Sequence, residues 1–97
     1  MIAPIKRGPL FSLGQLVATP GALHALDDSG ERPAKFLIRH QLGDWGDVCK
    51  EDRKENELSV QKGFRILSSY NTSKGVKLWV ITEADRSSTT ILLPDEY

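Results

Sequence analysis

The chain has 97 residues, 39% hydrophobic and 27% charged, and its thirteen basic and thirteen acidic side chains leave a formal net charge of zero. One domain, 1–97, with one core and little room for a deep cleft follows from that length, and the composition excludes wholesale disorder. A neutral total excludes a global field toward nucleic acid or an anionic membrane, and no apolar run approaches the roughly 20 residues of a spanning helix. The single Cys49 cannot close an intramolecular disulfide. With no signal-peptide-like apolar stretch at the N-terminus, a cytoplasmic location and no membrane association are expected.

Residues 1–10 hold Pro4, Gly8 and Pro9 around Lys6 and Arg7 with no clear period, which reads as a flexible arm. Residues 13–18 are apolar enough for a short strand or an extended lead-in. Thr19-Pro20 then starts a helix, because Thr caps free amides and Pro fits the first turn; its expected buried stripe is Ala22, Leu23 and Leu26. Pro33 opens a second helix whose Phe36, Leu37 and His40 share one face, widened by Ile38 and Leu42. Gly43 ends it, and Asp44-Trp45-Gly46-Asp47 forms a tight corner. Asp47 can cap a third helix over 48–62, charged through its centre and therefore mostly solvated.

The C-terminal third carries the β-branched and aromatic runs, 64–70, 76–82 and 88–93, separated by polar turns. They predict a three-stranded antiparallel meander, packed with two or three N-terminal helices in an α+β fold. In the middle run Val76, Leu78 and Val80 alternate with Trp79 and Ile81, so the strand wants cover on both faces.

For chemistry, His24, His40 and Cys49 match no compact metal-ligand spacing, so no metal and no cofactor are expected. His40 on an apolar helix face reads as a hydrogen-bonded core histidine. Both glycine-rich phosphate-loop signatures are missing, and no nucleophile sits in a known catalytic signature. Two places hold the candidate partner-binding residues: Asp44, Trp45 and Asp47 in the 43–47 corner, and Glu83, Asp85 and Arg86 in the 83–88 loop. Trp and Arg dominate interface energetics when exposed. Against this, Trp45 can serve as a core anchor and Arg86 can brace its own loop.

The Gly43-Asp-Trp-Gly46 corner, the Arg65-Ile-Leu-Ser-Ser-Tyr70 run and the segment from Leu78-Trp-Val-Ile-Thr to Pro94-Asp-Glu-Tyr97 carry a resemblance. From about Leu13 onward the chain resembles the small plasmid-related proteins of bacterial plasmids and integrative elements. Some of these bear a type I restriction subunit label, which needs a methyltransferase glycine motif that this chain lacks. The resemblance brings no activity; it implies a setting in which small accessory proteins bind a host or defence component.

The leading expectation is a non-catalytic interaction protein with a protein partner, and a homodimer formed through the C-terminal edge strand. The alternatives are a small metal-dependent hydrolase or nuclease using the corner and loop carboxylates, and a DNA-binding regulator using Arg32, Lys35 and Arg39, which share a helix face.

Overall fold

In chain order the elements are β1 (Gln15–Ala18), α1 (Pro20–Ser29), α2 (Pro33–Gln41), α3 (Lys50–Lys62), β2 (Ile66–Asn71), β3 (Lys77–Thr82) and β4 (Ser88–Leu92), closed by a 3-10 turn at Pro94–Glu96. The computed structural model describes residues 8–97. Of the expected arm, 1–7 lie outside the described residues. Leu10, its last member, is tied down, its amide donating to the Gln41 carbonyl at 2.9 Å.

The fold is α+β, but its sheet has four strands in the order β1-β4-β3-β2. β2 and β4 run antiparallel to β3, whereas β1 pairs in parallel with β4, Val17 opposite Thr90. The short apolar run of 13–18 thus becomes a fourth strand. It also corrects the expected dimer contact: β4 is flanked on both sides, so it has no free edge for a second copy.

Helices α1 and α2 cover the face carrying Tyr70, Leu78, Val80 and Ile91, which with Ala22, Ala25, Leu26, Phe36 and Leu37 form the core. Thr19 caps α1, its hydroxyl accepting from the Ala22 amide at 3.2 Å. The Glu96 carboxylate adds a second cap from the other end of the chain, accepting from the Thr19 hydroxyl and the Gly21 amide. That hydroxyl bond and the Leu93 amide lower the Glu96 pKa. Leu23, placed in the buried stripe by its spacing, is 50% exposed, and Ala25 takes its place. Ile38 also turns outward. On the opposite face Trp79 meets the ring of Tyr97, with centroids 5.8 Å apart, and the Arg65 guanidinium lies over Tyr97. The middle strand is therefore covered by helices on one side and by the C-terminal turn on part of the other.

The third helix departs most from expectation. Cys49, not Asp47, is its N-cap, and its buried residues are the polar Asn56 and Ser59, while Leu58 is exposed. It is attached by hydrogen bonds instead of an apolar stripe. The Asn56 side chain donates to the Leu67 carbonyl at 2.8 Å and accepts from the Leu67 amide at 3.2 Å, as a neighbouring strand would.

Candidate functional site

The corner after α2 is built around Asp44. Its carboxylate accepts from Arg39 Nε at 2.7 Å and Nη2 at 3.3 Å, and from the Gly46 amide at 3.3 Å. The Arg39 hydrogen bond holds the Asp44 pKa below its ordinary value. The same guanidinium stacks on the Tyr70 ring at 4.5 Å, and the Tyr70 hydroxyl donates to the Asp44 carbonyl at 2.5 Å. Burial pushes the Tyr70 pKa upward. The chain then passes alongside β2: the Ser69 amide donates to the Trp45 carbonyl and the Asp47 amide to the Ser69 carbonyl. Asp47 is exposed, 3.5 Å from Lys77. Between these groups lies a shallow groove of ≈ 410 Å³, and the Ser69 hydroxyl beside it is buried without a partner among the described residues.

Gly46 allows this approach. It has φ 74°, and a Cβ there would overlap the Ser69 carbonyl oxygen and the Tyr70 ring. Gly46→Ala is expected to destabilise the protein by about 2–4 kcal/mol, the sum of left-handed strain and a backbone clash, read as a lowered urea midpoint. An unchanged midpoint would show that the corner does not constrain the fold.

Trp45 is 1% exposed and is no surface hot spot. Its indole donates to Glu57 on α3 at 2.8 Å, and its ring lies 6.0 Å from His40 and 6.3 Å from Phe11. A large amphipathic ring next to a core gap buries its body and sends its N–H to a partner, and that outweighs display.

Arg86 also points inward. It has φ 62°, uncommon for a side chain with a Cβ. From there Nη2 donates to the Ser59 carbonyl at 2.8 Å and Nη1 to the Phe64 carbonyl at 2.7 Å, with longer bonds to the carbonyls of Glu83 and Ala84. A cation thereby sits against carbonyls at and just past the C-terminal end of α3, where the helix dipole is negative. Of its neighbours, Asp85 accepts from the Ser87 amide at 2.9 Å, and Ser87 lowers its pKa. The Glu83 side chain is exposed.

Corner and loop therefore meet through the interior. Phe11 stacks on Trp45, stands edge-on to His40 at 5.1 Å and carries the Arg86 guanidinium over its ring at 5.5 Å. Among the described residues, no ion pair or hydrogen bond joins Asp44 or Asp47 to Glu83 or Asp85, and no three His, Cys, Asp or Glu side chains are grouped to hold a metal. Two of the three basic residues of the α2 face are neutralised, because Lys35 pairs with Glu31 and Arg39 with Asp44.

Behind Phe11 lies a buried polar relay. Thr89 Oγ1 donates to the Leu13 carbonyl at 2.7 Å, so it accepts from Thr82 Oγ1 at 2.6 Å. Thr82 must then accept from His40 Nε2 at 2.9 Å, which leaves Nδ1 as the acceptor of the Ser68 hydroxyl at 2.6 Å. One neutral tautomer satisfies the whole chain. Burial, followed by the charge of Arg86, pushes the His40 pKa down to about 3. A serine on a histidine is a nucleophile's arrangement, but Ser68 and His40 are both fully buried, so here it pins α2 to the sheet.

The two edges of the sheet differ. Along β2 the outward backbone groups of Leu67 and Ser69 are occupied by Asn56, Trp45 and Asp47. Along β1 the amides of Gln15 and Thr19 point at β4, so by alternation those of Leu16 and Ala18 point away from the sheet. No described residue pairs with that side. Leu16 is 56% and Val17 44% exposed, and beside them opens a nearly wholly apolar groove of ≈ 230 Å³ reaching Pro33, Leu37 and Ile91.

No protein family, curated protein or solved structure matches the chain. The β1 edge was missed because a four-residue strand gives little periodic signal. One sequence feature does point to it: residues 8–26 contain no Lys, Arg, Asp or Glu in a chain that is 27% charged. An edge strand without a charged residue lacks the common protection against pairing.

Proposed function

We propose that this chain is a non-catalytic interaction protein, of the kind that a mobile element carries to engage a host or defence protein, and that it meets its partner along β1. The observation that carries this reading is the contrast between an edge closed by three separate residues and an edge with which no described residue pairs, beside exposed Leu16 and Val17. Proteins usually protect sheet edges, and a bare edge flanked by apolar surface is a common docking feature. The mobile-element setting is supported by the sequence resemblance.

The test is an affinity capture from nuclease-treated bacterial lysate with wild type, Leu16→Arg and Glu83→Gln run side by side. A stoichiometric protein retained by wild type and Glu83→Gln but lost by folded Leu16→Arg is the expected result. Capture that ignores Leu16, or no specific protein across a range of salt, would overturn it.

A further inference from the structure

Resting on that reading, we infer that the β1 edge accepts an extended peptide segment of the partner, added as a fifth strand, with one large apolar side chain seated in the groove against Pro33 and Leu37. Three features specify this occupant. The outward N–H and C=O groups of Leu16 and Ala18 can be matched by the backbone of another strand. The register sets Leu16 and Ala18 opposite Thr89 and Ile91, on the helix-covered face. A residue of the incoming strand on that face therefore projects over the mouth of the groove, whose lining of Leu16, Ala18, Pro33, Leu37 and Ile91 suits Leu, Ile or Phe.

A second copy of the chain fits less well. Pairing two β1 strands about Val17 puts Ala18 opposite Leu16 and Leu16 opposite Ala18, so the symmetry gives a second copy only this one short pairing. Four residues from each side also fall far short of the roughly 800 Å² per partner of a stable association. A peptide needs less, because main-chain bonds and a single filled pocket supply its affinity.

The test pans a displayed library of random nonapeptides against the protein and measures the enriched sequences as synthetic peptides by fluorescence anisotropy. The expected enrichment is a large aliphatic or aromatic residue at one fixed position, with affinity about tenfold or more weaker for Leu16→Arg. N-methylation at the peptide residue that bonds to β1 is expected to abolish binding, while methylation one residue away leaves it. No enrichment, equal sensitivity at both methylation sites, or a concentration-dependent dimer competing for the same edge would overturn strand addition. If the lysate capture still depends on Leu16 in any of those cases, the interaction reading stands and only the strand is lost; if it does not, both fall.

Discussion

Replacing His40 with alanine is expected to destabilise the protein by about 3–5 kcal/mol, because it opens a core cavity and strands the buried hydroxyls of Ser68 and Thr82. The pH dependence is the sharper test. The folded pKa is about 3 and the ordinary value 6.5, so above pH 6.5 the imidazole is neutral in both states and the relay contributes fully. As pH falls below 6.5 the unfolded chain takes up a proton that the folded chain does not. Stability then falls by about 1.4 kcal/mol per pH unit, until the folded imidazole titrates near 3. Between pH 7 and 5 the loss is about 2 kcal/mol, most of it above the range in which the lowered carboxylates Glu31, Asp44, Asp85 and Glu96 take part. Urea unfolding followed by tryptophan fluorescence reads it, and His40→Gln, which keeps a donor and an acceptor but cannot titrate, is expected to flatten the slope. The same slope in both proteins would mean that His40 is not the group responsible.

Arg86→Ala is expected to cost about 2–4 kcal/mol. The charged donor to the Ser59 and Phe64 carbonyls is lost while the left-handed backbone keeps a Cβ. Arg86→Gly separates the two contributions, since glycine tolerates φ 62° and should recover about 1 kcal/mol of the loss. The predicted order is therefore Arg, then Gly, then Ala. Because the charge of Arg86 helps to depress the His40 pKa, both variants should also raise the pH at which the acid slope levels off. Equal stability of all three proteins would show that the guanidinium braces nothing, and would return Arg86 to the surface as a contact candidate.

These two residues mark where the sequence could be read and where it could not. His40 was legible as a core histidine because its apolar neighbours Phe36 and Leu37 lie one turn away on the same helix. Its partners were not legible, since Ser68 and Thr82 lie on different strands, 28 and 42 residues on. Arg86 read either as an exposed contact or as a brace within its own acidic loop, yet its strongest acceptors are carbonyls of Ser59 and Phe64 outside that loop. Trp45 offered both readings, and the bond to Glu57 across the α3 packing decides for the interior.

By itself the sequence determined what depends on near neighbours. Thr19-Pro20 and Pro33 start helices, and the β-branched runs are extended, because capping and side-chain alternation act within a few residues. Only the tertiary structure decided which backbone edges meet. β1 enclosed β4, the corner and Asn56 closed β2, and no described residue closed the outer side of β1. The physical reason is that a strand's hydrogen-bonding groups are the same whatever its side chains, so edge pairing depends on the packing of distant segments and leaves little trace in local sequence.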